Sequence, residues 1–350
     1  MEVNQSIKVD LPLVSVLVLN KNGRKLLEIC IPSILKQSYE NIEIIVIDNG
    51  SNDDSIEYLK DKFTQVIIIE NKQDIGFSAA NNIGIKQSSG EYIFILNNDT
   101  EMDTHCISRL VNVANDEKYS KVGMFSPKIL SYFDRNVFDN VGHLIYKDGL
   151  NRGRGKLEKD IHQYDKIEEI CFPSGCAAFY RKKVLNEIGL LDEDFYYFGE
   201  DTDLGLRARM AGWISMYIPD SIVYHMYSAT AGKYSPKKAF LVERNRLWVA
   251  IKIFPISLLL ISPYYSLKRY LYQIYGVLGK RGSAGKYIEN YSAGSLFFIL
   301  LKAWYFGLSG APKMLKKRKI IQKNKKVTNK EIYSWFIRFG ISVKELTLKE

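Results

Sequence analysis

Three polar clusters, each placed directly behind an apolar run, are the residues of this chain best suited to chemistry. Phe195-Tyr196-Tyr197-Phe198-Gly199 leads straight into Glu200, Asp201 and Asp203. An aromatic approach of that kind raises the basicity of a carboxylate and keeps water away, so Glu200 and Asp201 are candidate acceptors for a hydroxyl proton. Asp203 has another use, as the i,i+4 partner of Arg207 on the helix that follows, and this leaves Asp201 as the candidate base. In the second cluster, Phe94-Ile95-Leu96 runs into Asn97, Asn98 and Asp99, oxygen donors of the hard type that Mg²⁺ or Mn²⁺ prefers. Asp99 is the candidate metal ligand, against the alternative of an ordinary strand-end turn. His225, behind Val223-Tyr224, is either a second ligand or a structural histidine. In the third, Val46-Ile47 ends in Asp48-Asn49-Gly50-Ser51, where Asp48 either accepts hydrogen bonds from a nucleobase or ribose or caps the next helix. Gly76-Phe77 opens a helix whose amide end suits an anion.

The elements that must position these clusters follow from periodicity. Short β-rich apolar runs at 14–19, 42–47, 66–69 and 92–96 read as buried parallel strands. Helical stretches at 26–36, 55–63 and 77–87 lie between them, so the repeated unit is β-α and the sheet is doubly wound. Ligands of such sheets lie at the carboxyl ends of the strands, where this chain carries Asn20 and Asn22, Asp48 and Asn49, Glu70 and Asn71, and Asn97 to Asp99. Residues 122–180 loosen into short strand candidates, with Asn151-Arg152-Gly153-Arg154-Gly155 expected as a mobile loop able to serve as a lid. Helices return at 182–188 and 201–210, the latter stopped by Gly212.

At 350 residues and 46% hydrophobic, the chain has material for one large domain and an appendage. Its four cysteines are few, and Cys171 and Cys176 lack the partners of a zinc site; a reducing compartment is expected. The net charge of +10 conceals a division: residues 1–232 carry 25 Lys+Arg against 34 Asp+Glu, whereas 233–350 carry 24 against 5. We therefore expect a nucleotide-binding part over 1–232 and a basic, helical extension over 233–350. Its apolar runs at 253–265 and 295–308 fall short of the about 20 residues that span a bilayer. They suit the membrane interface instead, with their tyrosines and the lysines that follow facing an anionic surface. The alternative is an ordinary helical subdomain with solvated lysines. No helix-turn-helix, zinc finger or aromatic sheet motif is present, so nucleic acid is not an expected partner.

Across residues 13–250 the chain resembles the inverting family 2 glycosyltransferases of the GT-A fold, and within them the rhamnosyltransferase and galactofuranosyltransferase-like group. The resemblance rests on Val14-Ser15-Val16 with Asn20, Ile47-Asp48-Asn49-Gly50-Ser51, Gly76-Phe77, Leu96-Asn97-Asn98-Asp99-Thr100 and Gly199-Glu200-Asp201-Thr202-Asp203-Leu204. It includes Glu243-Arg244-Asn245-Arg246-Leu247-Trp248, similar to an arginine-bearing helix near the diphosphate or acceptor. It implies that Asp48 contacts the base, that Asp99 binds metal and diphosphate with His225 assisting, and that Asp201 is the base of one in-line displacement. The donor it implies is dTDP-rhamnose or a UDP-sugar. The implied acceptor is a polyprenyl-diphosphate-linked saccharide of cell-surface polysaccharide synthesis, met by a peripheral protein on the cytoplasmic leaflet. The family's usual first Asp is here Asn97, which also leaves open a catalytically silent carbohydrate- or membrane-binding module on the same fold. A nucleotidyltransferase is disfavoured, since no glycine-rich loop with a basic residue follows the first strand.

Overall fold

The computed structural model describes residues 11–226 and 235–349, so the expected boundary at 232/233 lies outside the described residues. The first half alternates as the periodicity requires: β1 (Val14–Asn20), α1 (Arg24–Leu35), β2 (Ile42–Asn49), α2 (Ser55–Lys62), β3 (Ile67–Asn71), α3 (Phe77–Gln87) and β4 (Tyr92–Asn97). Next come β5 (Thr100–Met102), α4 (Cys106–Asn115), β6 (Val122–Ser131), β7 (Phe138–Asn140), β8 (His143–Ile145), β9 (Asn151–Gly153) and β10 (Glu168–Glu169). β11 (Ala177–Arg181), α5 (Lys182–Ile188), α6 (Glu200–Met210) and β12 (Ile214–His225) complete this part.

The main sheet runs β3-β2-β1-β4-β11-β6-β12-β10, with β5 on β12 and β7 on β6. Its long pairings, β1 with β2 and β4, β2 with β3, and β6 with β12, are parallel, while β11 enters antiparallel between β4 and β6. Both faces of β1, β2 and β4 are covered, which is why they read as unbroken apolar runs, whereas β3, expected to be buried, is a partly exposed edge strand with Ile67 47% exposed. Val14, Val16 and Val18 pack toward α1 and α4, and Leu17, Ile45 and Ile95 toward α3, α5 and α6. Register then brings the polar strand ends to one edge: Asn20 lies beside Asp48, Asp48 beside Glu70, and Asn97 beside Leu19. The expected mobile loop is different. Residues 151–153 form β9, paired with β8, and Arg152 donates to the carbonyls of Glu345 and Lys349, which ties the segment to the C-terminus.

The remainder is helical: α7 (Pro236–Ile253), α8 (Ile256–Leu278), α9 (Gly282–Ile288), α10 (Ala293–Ser309), α11 (Ala311–Lys323), α12 (Asn329–Arg338) and α13 (Val343–Leu348). Trp248, Phe254, Ile332, Trp335 and Phe336 pack with Phe172, Phe195 and Leu206 of the sheet part. At about 1.5–3 kcal/mol for each fully buried large side chain, this contact holds the helices firmly on the sheet part. No single described helix is long and apolar enough to cross a membrane. The basic cluster is also partly spent on the protein itself, since Lys313 and Lys317 pair with Asp194 and Lys326 with Glu187. Lys316, Lys319 and Lys323 remain exposed.

Candidate active site

A cavity of about 590 Å³ opens at the carboxyl edge, bordered by the sheet on one side and by α7, α9, α10 and the C-terminus on the other. The turn after β4 delivers Asn97, Asn98 and Asp99 to its wall, and Phe77 lies beside them. Behind that wall is a hydrogen-bonded chain in which Asn98 donates to Asn20 (2.8 Å) and Asn20 donates to Asp48 (2.9 Å). Asp48 also accepts from the amide and hydroxyl of Ser51, at 2.9 and 2.5 Å. Its carboxylate closes the turn after β2 and is buried, while the residue preceding α2 is Asp54, so Asp48 caps a turn rather than a helix. Asn49 donates to Asp74 (2.9 Å), and Asn22 accepts from the Asn52 amide (2.8 Å). Gly76, at φ +86°, presses so closely on Tyr196 that a Cβ would lie 2.4 Å from its ring. Asn20, Asn22, Asp48, Asn49 and Gly76 thus shape and brace the edge, and none of the five borders the cavity.

On the cation side, β12 carries His225 next to Asp99, with Nε2 3.3 Å from Asp99 Oδ1. The other ring nitrogen, Nδ1, is 2.7 Å from the carboxylate of Asp139 in β7. Burial opposes a charge on this ring, but the Cys176 thiol and the Asp139 and Asp99 carboxylates outweigh it and hold its pKa well above the usual value. Surroundings that favour a proton there also favour a metal cation. A carboxylate behind a histidine is moreover the usual way a ligand's tautomer and ring orientation are set. The residues present therefore fit a divalent ion held by Asp99 and His225, with remaining positions open to diphosphate oxygens and water. A second group, Asp160, His162 and Asp165, lies on an exposed loop where Lys128 already bridges the two carboxylates at 3.2 and 2.9 Å.

Across the cavity, the first turn of α6 presents Glu200 and Asp201, and burial affects them oppositely. Burial and repulsion from Asp201 push Glu200 well above the usual carboxyl range. Burial would raise Asp201 too, but the nearby His143 and the amides of Gly175 and Thr202 overcome it, and its pKa falls below the ordinary value. The Thr202 amide donates to Oδ1 at 2.7 Å and the Gly175 amide to Oδ2 at 3.3 Å. The neutral member is thus Glu200 and the ionised one Asp201, so of the two adjacent carboxyls Asp201 is the one able to accept a proton. Asp203 is otherwise engaged, accepting from Arg207 Nε at 2.8 Å and pairing with Lys252 at 2.5 Å.

The arginine-bearing helix departs from expectation. Arg246 borders the cavity, but its guanidinium is bound to Glu243, Ser266 and Tyr270. Arg244 and Trp248 do not reach the cavity. Arg244 donates to the carbonyls of Asp194 and Phe195 and stacks on Trp248 at 4.2 Å, and Trp248 donates to the Gly307 carbonyl. Conversely, Asp139, Asn140 and His143 of the β7–β8 segment line the cavity without having been singled out. Their one available signal was that the chain has only four histidines.

A doubly wound sheet with a hard-donor cluster behind its fourth strand, facing an ionised carboxylate across one cavity, defines a glycosyltransferase of GT-A type. The solved GalNAc-T7 with UDP, GalNAc and Mn²⁺ has a similar fold, with a TM-score of 0.58 at 17% identity over 87% of this chain and 59% of that one. The chain belongs to glycosyl transferase family 2, whose family model matches residues 15–189. An uncharacterized glycosyltransferase of Rickettsia typhi is 28% identical over 196 residues, or 56% of this chain. The match spans 58% of that relative's length. The N-acetylglucosaminyl-diphospho-decaprenol L-rhamnosyltransferase of Mycobacterium tuberculosis is 22% identical over 238 residues, 59% of this chain and 76% of that protein.

Proposed function

We propose that this enzyme moves a sugar, with inversion, from a nucleotide-diphosphate donor of the dTDP-rhamnose or UDP-sugar kind to a hydroxyl of a lipid-linked saccharide. One observation carries the reading: Asp99 and His225 border the same cavity as the ionised Asp201. In this mechanism the acceptor hydroxyl gives its proton to Asp201 as its oxygen attacks the anomeric carbon, and the bond to the diphosphate breaks on the opposite face. Asp99 and His225 would hold Mg²⁺ or Mn²⁺, which supplies charge neutralisation for the leaving diphosphate. Asn20, Asn22, Asp48, Asn49, Gly76 and Phe77 shape the nucleotide side, residues 1–232 being the catalytic part and 233–350 the acceptor side. The test is a panel of nucleotide sugars offered with and without Mn²⁺, scored for released nucleotide. Release that depends on Asp99 excludes a silent binding module, and no release from any donor overturns the proposal.

Asp139 bears on the cation. Its 2.7 Å contact with His225 supports an Asp139→Ala loss of Mn²⁺ affinity of about 10- to 100-fold, measured by calorimetry with nucleotide present.

The same reading puts the enzyme on the cytoplasmic leaflet of an anionic membrane. Leu260, Tyr264, Leu267, Leu271, Ile274 and Leu278 are all exposed and recur every three or four residues on α8, forming one apolar stripe. Phe297, Phe298, Leu301 and Tyr305 are exposed on α10, and the lysines of α11 follow it in the chain. A triple Leu260→Gln, Leu267→Gln, Leu271→Gln variant is expected to lose at least about tenfold in partitioning onto anionic vesicles, since each leucine gives up part of its roughly 1.5–3 kcal/mol of burial. Transfer to a soluble acceptor should be unchanged. Truncating the helices would be a poorer test, because Arg269 on α8 is bound into the buried network of the catalytic edge.

A further inference from the structure

α10 is apolar on two opposite faces. Leu296, Leu300, Ala303 and Gly307 recur every three or four residues along one side of it, while Phe297, Phe298, Leu301 and Tyr305 are exposed on the other. The inner face changes character along its length. Toward the C-terminus it is pressed onto α7: Ala303 is fully buried, a Cβ at Gly307 would lie 2.6 Å from the Leu247 side chain, and one at Gly310 would lie 2.7 Å from the Trp248 ring. Toward the N-terminus Leu300 and Leu296 are only half-buried and border the large cavity instead. The neighbouring helices add Ala239 and Val242 from α7 and Ala284 and Tyr287 from α9 to the same lining. α9 is fastened to the start of α10, the Tyr287 and Ser295 hydroxyls lying 3.1 Å apart, and α7 runs beside it with Phe240 against Phe306 at 5.9 Å. The cavity therefore has a polar part, with Asp99, His225 and Asp201, and an apolar recess among the helices.

We propose that this recess holds the first part of the acceptor's hydrocarbon chain, so that the chain enters the protein and does not stop at the membrane surface. The proposal rests on the acceptor being lipid-linked. A saccharide placed among Val242, Leu296 and Leu300 would leave its hydroxyls without partners, whereas a hydrocarbon asks for none and gains with every methylene it buries. That gain is about fourfold in affinity per methylene. Glu243, Arg246 and Arg269 border the cavity too, but they are bound to one another, so an uncharged chain passes them without stranding an ion. The recess also leads outward to surface of its own kind. Tyr287 stacks at 4.9 Å on Tyr291, which is 40% exposed, and the exposed Phe297 and Leu301 directly follow Leu296 and Leu300 in the helix. A chain leaving the recess thus meets the outer apolar face of α10, the face that the membrane reading turns toward the bilayer.

The probes are isopentenyl, geranyl and farnesyl phosphate, kept below their micelle concentrations, and binding is measured by calorimetry with nucleotide present. Affinity is expected to rise at least about tenfold from isopentenyl to farnesyl phosphate. Leu296→Trp and Leu300→Trp, which fill the recess, should each weaken farnesyl phosphate binding by about tenfold or more and leave the Kd of the nucleotide unchanged. The triple Leu260→Gln, Leu267→Gln, Leu271→Gln variant should bind farnesyl phosphate like the wild type, because the stripe on α8 is a separate surface. Affinity independent of chain length, a result that needs no variant, would overturn the recess, and so would wild-type affinity in both tryptophan variants. Equally tight binding of a lysophospholipid of matched chain length would overturn it too, by making the recess a site for bulk membrane lipid. The underlying reading fails separately. A preference for lipid-linked acceptors seen only on vesicles, with no gain from a short soluble chain, would remove the recess alone, whereas transfer confined to free saccharides would remove the reading.

Discussion

Asp201→Asn is expected to lower kcat by about 10²- to 10⁴-fold, the usual contribution of a positioned base, while the Kd for the nucleotide sugar stays at the wild-type value. The substitution is nearly isosteric. The Asn oxygen still accepts from the Thr202 amide, which lies at 2.7 Å in the wild type, so the first turn of α6 should keep its shape, while the proton-accepting charge and the longer 3.3 Å bond from the Gly175 amide are removed. Asp201 is held below the ordinary carboxylate value, so it is the ionised, active form that is favoured as pH falls. The acid limb of kcat/KM attributable to this group should therefore lie below the usual Asp range near about 4 and be absent from the variant. Glu200→Gln is the contrasting control. Burial and the neighbouring Asp201 keep Glu200 in its neutral form, and glutamine copies a neutral carboxyl in size and polarity. Its transfer rate should stay much closer to wild type. Full activity in Asp201→Asn would remove the assignment of the base.

The strand ends were legible because each is an abrupt change from buried apolar residues to a carboxylate or amide, and such changes are chain-local. α3 and α5 begin and end where periodicity predicts, and the Asp203–Arg207 pair forms as the i,i+4 spacing requires. Helix geometry also explains where the reading of the arginine segment failed. Arg244 and Trp248 are four residues apart and share a face, as their stacking shows, whereas Arg246 lies two residues from each and faces nearly the opposite way. The three cannot serve one cavity. Asp139 and His143 were not legible for a different reason. They come from the short β7–β8 segment, and what brings them to the site is the pairing of β7 with β6 and of β8 with β9, contacts that no local pattern announces. The expected lid is instead a strand because it pairs with β8 just before it, and its Arg152 side chain is tied to the carbonyls of Glu345 and Lys349, nearly 200 residues away.

The second large effect concerns stability. Glu243→Ala is expected to destabilise the fold by about 3–5 kcal/mol, the cost of leaving a buried charge without its partner. Glu243 of α7 accepts from Arg246, Arg269 and Tyr270, and Glu243 and both arginines are buried. Asp148, in the turn between β8 and β9, pairs with both arginines, at 3.7 Å to Arg246 and 2.7 Å to Arg269. Two acids balance two bases in wild type, and removing Glu243 leaves two buried guanidiniums to share Asp148. Urea unfolding should show the loss. Burial by itself would raise the Glu243 pKa, but Arg246 and Arg269 bring it from 4.5 to about 2. Because the folded value is the lower one, this contribution is complete above about pH 4.5 and disappears as pH falls toward 2. At 1.36 kcal/mol per pKa unit it amounts to roughly 3 kcal/mol. The variant should accordingly show a shallower fall in stability across that window. Glu243 and Arg246 also line the cavity, so the network that fastens α7 and α8 to the β8–β9 turn forms part of its wall, the side the proposed reaction gives to the acceptor. On the proposed reading, a variant that remains folded should lose more in acceptor KM than in donor KM, because the sheet edge at Asn20 and Asp48 is braced by a separate set of hydrogen bonds. Unchanged urea stability in Glu243→Ala would mean that water reaches these arginines and that the network is not what holds the two parts together.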